Sequence, residues 1–442
     1  MLDLFAYLNC SHSPVIEDAW RDERHGQADG YRDVSFWTGV AQQLEAGGFT
    51  GAFFADAYNI ADNYEQSIEP TLRRGQQVPE NDPVVLLSAM AAATDTLGLV
   101  TTASTSLYPP YLLAKKFSTL DDLTDGRLGW NVVTSSGQLE FENAAGGYIS
   151  HDERYERAAE YLEVCYKLWE DSWDDGAVVR DASGRYADPD AVSFVNHDGD
   201  HFSIPGPHMC APTPQRTPVV FQAGQSDRGR AFAARHAEAM FSFHLSIDGF
   251  DSYATDMTER AATCGRDRDQ FRLYPAITPY VAATEDLARQ QRDRVIETIN
   301  PETGLVRLSS HLNHDYSQYD LEAPLADIDV SGIRGALRAF VDDDRDWTVG
   351  EAAIRYARYP TTELVGTPDA VADQLETWVD VGADGFVVMP PFVPASLTSV
   401  SEHLVPELRQ RGLLEAGSTD ETLRERLFDG DACPPADRPA RR

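Results

Sequence analysis

The sequence predicts an α/β protein, a (β/α)8 TIM barrel carrying insertions. Three observations lead there. Eight short apolar segments of strand length alternate with segments of helical spacing, and repeated strand–helix units imply a parallel sheet. Eight such units suggest closure into a barrel, with an open doubly wound sheet as the alternative. The 442 residues suit a single barrel domain enlarged by extra segments.

The elements follow in order. Residues 2–8 are an apolar run of strand length. Residues 35–47 carry Phe36, Trp37, Val40 and Leu44 at helical spacing and end at Gly47-Gly48, a helix stop. Residues 51–56 form a strand. Asn81-Asp82-Pro83 opens a helix reaching residue 94, with the proline where a first turn tolerates it. Strand 97–102, helix 110–123 and strand 127–133 follow. Residues 152–173 make a long amphipathic helix, with Tyr155, Ala158, Ala159, Leu162, Tyr166 and Trp169 on one side. Then come strand 218–223, helix 227–236, strand 239–243, a helix near 250–264, strand 271–283 and a helix from about 285. Helix 368–381, strand 385–389 and helix 396–412 complete the pattern. Residues 57–81, 174–217 and 300–360 break the alternation and read as insertions; residues 414–442 read as an extended tail.

Charge restricts the partners. The chain has 37 basic and 72 acidic residues, a formal net charge of −35. Such a surface repels itself in dilute buffer and is comfortable when salt screens it, which predicts a halophilic protein. It also argues against nucleic acid and anionic membranes as partners. No apolar run approaches a membrane span, and the N-terminus carries no export signal; a cytoplasmic protein is expected. The five cysteines are scattered without zinc spacing, so no metal is expected. His197, Asp198, Asp200 and His201 flank Asp198-Gly199, which reads as a type I′ hairpin turn with exposed polar residues at its tip. Ser309-Ser-His-Leu-Asn-His314 reads as a loop.

In a barrel, side chains at the carboxyl ends of the strands build the active site. Those ends read Asp56, Thr101-Thr-Ala-Ser104, Asn131 to Ser136, Gln222-Ala-Gly-Gln-Ser226 and Ser242-Phe-His244. One polar strand end is ordinary turn chemistry; five in succession point to a ligand pocket. Gly224 lets a ligand approach the backbone, and a helix start favours an anion such as phosphate. Simple capping by Ser226 or Asp227 accounts for that segment equally well. No Walker loop, Gly-x-Gly-x-x-Gly or nucleophile elbow occurs. His151-Asp-Glu-Arg-Tyr155 starts the long helix; Tyr155 lies on its core stripe, and its first-turn position lets the hydroxyl reach the rim.

These segments run in order over nearly the whole chain. They include Phe54-Ala-Asp56, Tyr108-Pro-Pro-Tyr111, Thr119-Leu-Asp-Asp-Leu-Thr-Asp-Gly-Arg127, Trp130-Asn-Val-Val-Thr-Ser135 and His151-Asp-Glu-Arg-Tyr155. Tyr166-Lys-Leu-Trp169, Phe221-Gln-Ala-Gly-Gln-Ser226 with Arg228-Gly229, Leu308-Ser-Ser-His311 and Ala383-Asp-Gly-Phe386 continue the series. The chain thereby resembles the flavin-dependent monooxygenases of the bacterial-luciferase-like superfamily, in the branch of nitrilotriacetate, EDTA and dibenzothiophene-sulfone monooxygenases. Trp-Asn-Val-Val-Thr-Ser followed by His-Asp-x-Arg-Tyr carries the branch.

The resemblance implies a homodimer or homotetramer that uses reduced FMN (FMNH2) from a separate NAD(P)H-dependent flavin reductase. With O2, through a flavin C4a-(hydro)peroxide, it would oxygenate a small organic substrate. It also implies that Asp56, Ser104 and Asn131 line the flavin ring, and that His151, Tyr155, Gly224, Gln225 and Ser226 hold the ribityl phosphate. Ser135, His311 and Asn131 are the implied catalytic residues, and the 300–360 insertion the lid. The match departs at Cys10-Ser-His-Ser-Pro14, where His12 would stand in for a family histidine. Three alternatives are an F420-dependent oxidoreductase of the same superfamily, a catalytically inactive flavin-binding protein and a metal-dependent hydrolase. The last needs a His-x-His after the first strand, which Asn9-Cys-Ser-His12 does not supply.

Overall fold

The structure, a computed structural model, describes residues 1–13, 16–144, 147–325, 346–359, 361–415, 421–428, 430, 432–435 and 438–441. Its strands are β1 Asp3–Asn9, β2 Gly51–Ala55, β3 Gly98–Ser104, β4 Leu128–Val133, β5 His197–Asp198, β6 Ser203–Ile204, β7 Val219–Gln222, β8 Ala239–Ser242, β9 Arg272–Val281, β10 Thr362–Gly366 and β11 Gly385–Val388. The fold is the predicted (β/α)8 barrel. Its eight staves are β1, β2, β3, β4, β7, β8, β9 and β11, each at its predicted place. Strand β10 was not anticipated: it is five residues long and pairs parallel with the far half of β9.

The chain divides into two compact units. The first holds Met1–Leu97, Phe241–Thr255 and Leu273–Ala416. Within it the strands run β10-β9-β11-β1-β2, all parallel. Strand β1 is buried on both faces from Leu4 to Asn9, as a strand covered by helices on one side and a barrel interior on the other must be. Phe5, Phe53, Phe54 and Trp37 are almost wholly buried. The helix Val34–Ala46 is capped by Asp33, whose side chain accepts from the Ser35 N–H, and presents Trp37, Val40, Ala41 and Leu44 to this core.

The second unit holds Gly98–Met240, Asp256–Arg272 and Gly417–Arg442, with strand order β3-β4-β7-β8. Its core centres on Trp130. That indole packs edge-on against Phe117 and Trp169, with ring centroids 5.5 and 6.1 Å away, and its N–H donates to the Ala103 carbonyl at 3.1 Å. The long helix begins at His151 and runs α-helical to Tyr166, then as one π-helical turn to Asp171.

Two segments differ from expectation. Ser309, Ser310 and His311 lie not in a loop but in the helix Pro301–Leu312, capped by the Asn300 side chain and ended by Asn313 in the left-handed region. With the helix Val349–Tyr356 it encloses a separate small core of Leu305, Leu308, Leu312, Tyr316, Leu325, Val349 and Tyr356. The two helices approach closely because Gly304 has no side chain; a Cβ there would strike the Ala353 backbone. Residues 326–345 and 360 of this insertion, and parts of the expected C-terminal tail, lie outside the described residues.

The hairpin of β5 and β6 turns through four residues rather than at Asp198-Gly199, with the Gly199 N–H donating to the Phe202 carbonyl at 2.9 Å. Glu160 dictates this. Its carboxylate accepts from the backbone N–H groups of His201 and Phe202 at 2.9 and 2.7 Å and meets the buried His197 Nε2 at 3.1 Å. His197 is thus anchored in the fold and is not an exposed tip residue.

Candidate functional site

In the second unit, parallel pairing sets Thr102 opposite Asn131 and Ser104 opposite Val133. The polar residues at the ends of β3 and β4 therefore meet. Asn131 Nδ2 donates to Thr102 Oγ1 at 2.8 Å. Its Oδ1 is buried and has no partner among the described residues, a costly state for a strong acceptor unless a donor arrives. Past the end of β4, Ser135 Oγ donates to Ser104 Oγ at 2.9 Å. Ser135 has φ 54°, a left-handed conformation that a non-glycine residue adopts at a cost of roughly 1 kcal/mol or more. That backbone turn aims the hydroxyl back at Ser104.

The second half of this cluster lies where β7 gives way to the helix Asp227–His236. Gln222 Oε1 accepts from the Gly224 N–H at 2.7 Å. Ser226 caps the helix, accepting from the Gly229 N–H at 3.1 Å. Gly224 and Gly229 face each other with the Tyr155 hydroxyl beside them. A Cβ on Gly224 would lie 3.0 Å from the Gly229 Cα and 3.1 Å from the Tyr155 oxygen; one on Gly229 would lie 2.8 Å from that oxygen. Tyr155 is half-buried and packs against Phe232. His151, exposed, sits edge-on to the Tyr155 ring with centroids 5.3 Å apart. His151, Tyr155, Gly224 and Ser226 thus come together, with the exposed Gln225 beside them. Asp152 Oδ1 lies 3.6 Å from Arg228 Nε, and Arg228, exposed in the first turn of the helix Asp227–His236, adds a further positive group at the surface.

The first unit brings together a different set, most of which sequence reasoning missed. Arg307, on the same helix as His311, is fully buried. Its guanidinium lies 3.3 Å from Glu17 and stacks 3.6 Å above the Tyr359 ring. The Tyr359 hydroxyl is 3.1 Å from that of Tyr7. Burial, opposed by Arg307, raises the Glu17 carboxyl above its ordinary range. Glu80 is held well above that range by burial and then by the nearby Asp56 and Glu17 charges. Asp56 is half-buried just past β2. Burial, and then Glu80, push the Cys10 thiol up to about 12, so it is not a nucleophile.

His311 is open to solvent on one side, and its Nδ1 lies 3.1 Å from the Tyr356 hydroxyl. Desolvation, and then Arg307, lower its pKa. His12 packs over Gly75, where a Cβ would strike its ring; burial lowers its pKa as well. The signal that could have found this cluster was the spacing of Arg307 and His311, four apart on one helix, beside an Asn300-Pro301 helix start.

Among the described residues, no group of three or more His, Cys, Asp or Glu is placed to hold a metal ion, and no helix is long and apolar enough to cross a membrane.

The model of the luciferase-like monooxygenase family matches residues 20–385. The chain is 39% identical over 434 residues to dimethyl-sulfide monooxygenase of Hyphomicrobium sulfonivorans, covering 97% of this chain and 90% of that protein. It is 34% identical over 407 residues to nitrilotriacetate monooxygenase component A of Aminobacter aminovorans, covering 89% and 90%. It is 33% identical over 439 residues to dibenzothiophene-sulfone monooxygenase of Rhodococcus erythropolis, covering 96% of each. The crystal structure of DmoA from Hyphomicrobium sulfonivorans superposes with a TM-score of 0.93 at 38% identity, covering 99% of this chain and 95% of that one. A riboflavin lyase solved with modified FMN and riboflavin superposes at 0.90, 32% identical over 100% and 98%. The chain belongs to the luciferase-like monooxygenase family, within the branch that contains the nitrilotriacetate, dibenzothiophene-sulfone and dimethyl-sulfide monooxygenases.

Proposed function

We propose that this protein is the oxygenase component of a two-component flavin-dependent monooxygenase. It takes reduced FMN from a separate NAD(P)H:FMN reductase and, with O2, oxygenates a small organic substrate. The observation that carries this reading is the cradle of Gly224, Gly229 and the Tyr155 hydroxyl at the start of a ten-residue helix. A Cβ at either glycine would collide with its neighbours, so only glycine lets the backbone of this helix start come so close to the Tyr155 hydroxyl. The first N–H groups of a helix have no partner within the helix and favour an anion, so the flavin phosphate fits.

On this reading Tyr155, Ser226, Gln225 and His151 hold the phosphate by hydrogen bonds, and Gly224 lets it approach the backbone. Ser104 and Asn131 line the ring, the unpartnered Asn131 Oδ1 accepting from a ring N–H. When bound, reduced FMN supplies the two electrons that activate dioxygen. The chain's own part is to place neutral donors beside the reacting atoms and to keep water away. Ser135, tied to Ser104, is such a donor; a hydroxyl hydrogen-bonds an oxygen without delivering a proton as a strong acid does.

The protein works in the cytoplasm as a homodimer or homotetramer, at high salt. The test is oxygen uptake coupled to an NADH:FMN reductase, in molar NaCl, with dimethyl sulfide, an alkane, nitrilotriacetate and dibenzothiophene sulfone offered in turn. Uptake that depends on FMN and on one of these, with an oxygenated product, is expected. Reduction of F420 with no oxygen consumed overturns the reading in favour of hydride transfer.

A further inference from the structure

In the second unit, the long helix His151–Tyr166 buries a face that the proposed flavin chemistry does not use. Side chains three and seven residues apart leave a helix on one side, so Arg154, Arg157 and Tyr161 share that face. An amphipathic helix ordinarily fills its inner face with apolar groups, as Ala158, Leu162 and Cys165 do here. The two arginines interrupt them. Arg154 is 5% exposed and Tyr161 0%; Arg157 is half-buried.

Arg154 Nε and Nη1, Arg157 Nε and the Tyr161 hydroxyl are buried and meet no hydrogen-bond partner among the described residues. Residues 145 and 146, the undescribed pair that precedes this helix in the sequence, are Ala and Gly and bring no side-chain acceptor. What faces the arginines is aromatic. The Arg154 guanidinium lies 5.7 Å from the centre of the Phe141 ring, and that of Arg157 lies 4.4 Å from the centre of the Phe202 ring. Tyr161 packs edge-on to the same Phe202, with ring centroids 5.5 Å apart.

Ring faces offset part of a guanidinium's charge but leave its N–H groups without a good acceptor, which is the costly state for a buried donor. The side chains also act on one another: burial, and then Cys165, push the Tyr161 pKa up, and Arg157 opposes them. Two guanidinium forks and a phenol hydroxyl, all donors, match the paired oxygens of a carboxylate or phosphate. The flavin cradle lies on another side of the helix. Tyr155 leaves it about 100° round from Arg154 and packs against Phe232.

We infer that Arg154, Arg157 and Tyr161 form a second anion site, which takes the carboxylate or phosphate head of a small molecule between the helix and the rings of Phe141 and Phe202. This inference does not depend on the flavin reading, because it uses none of the residues assigned to the flavin.

The experiment is calorimetric titration of the full chain with inorganic phosphate and with benzoate, with FMN present to occupy its own site. It is run at the lowest NaCl that keeps the chain folded, since salt screens the attraction. One saturable site is expected, for which phosphate and benzoate compete and benzyl alcohol does not. Tighter binding of benzoate identifies an organic carboxylate as the ligand; tighter binding of phosphate identifies a phosphate ester. Arg154→Met weakens the site about tenfold or more, the scale of a lost charge-assisted hydrogen bond. Arg157→Met, at a half-buried position, does the same and carries the test if Arg154→Met fails to fold by circular dichroism. Absence of a saturable site, its loss when FMN is added, or wild-type affinity in the folded arginine variants overturns the inference.

Discussion

At the scale of single residues, Ser135 concentrates the account. Its hydroxyl reaches Ser104 from a backbone held at φ 54°. Ser135→Ala keeps the backbone and removes the donor. We expect it to bind FMN as the wild type does, while more of the oxygen consumed leaves as hydrogen peroxide and less as product; peroxide assay beside product analysis checks this, and unchanged coupling removes Ser135 from the mechanism. Arg307 is a residue of another kind. Its pair with Glu17 is buried on both sides, with 1% and 2% of the side chains exposed. Breaking a buried pair leaves an uncompensated charge, so Arg307→Met should destabilise the protein by about 3–5 kcal/mol, read from the denaturant midpoint.

His25 gives a pH dependence. Val393 N–H donates to its Nδ1 at 3.0 Å, so its Nε2 carries the proton donated to the His12 carbonyl at 2.7 Å. Burial lowers its pKa to about 4, below the unfolded value of about 6.5. The unfolded chain therefore takes up a proton first. The stability due to neutral His25 is complete above pH 6.5 and is lost as the pH falls towards 4, by about 1.4 kcal/mol per pH unit. His25→Asn should flatten that limb of the stability profile, measured by thermal melts from pH 7.5 to 4.5; a parallel profile contradicts the assignment. Ser104, Asn131 and Ser135 were readable in the sequence because strand ends in a barrel have a known address. Arg307, Glu17 and Glu80 were not, because a buried charge is intelligible only once its tertiary partner is known.

At the scale of elements, the eight staves were legible because each is a short apolar run between helix signals, and burial on both faces leaves no alternation to confuse. Ser309-Ser-His311, expected in a loop, instead lie in a helix with ordinary signals: Asn300 as cap, Pro301 at its start, Asn313 at its end, and Leu305, Leu308 and Leu312 on one side. Those signals stand in a stretch where strand and helix no longer alternate, so the barrel pattern gives no help in placing the helix. The hairpin was misread for a different reason. Asp198-Gly199 has local turn chemistry, but Glu160, far away in the chain, binds the backbone of His201 and Phe202 and fixes a longer turn. Local preference lost to a tertiary anchor.

At the scale of the whole molecule, the net charge of −35 is the dominant feature. Repulsion among exposed carboxylates acts over a screening length of about 10 Å at 0.1 M salt and about 3 Å at 1 M. Thermal stability should therefore rise steeply with NaCl up to the molar range; full stability in salt-free buffer contradicts this reading of the composition. The central claim concerns a flavin. The most direct test is fluorescence titration of FMN into the protein in molar NaCl, for the wild type and for Gly224→Val, whose side chain would push against Gln222, Gly229 and Tyr155. The account predicts saturable quenching by the wild type and affinity at least about tenfold weaker in the folded variant. No binding by the wild type, or equal affinity in the two proteins, contradicts it.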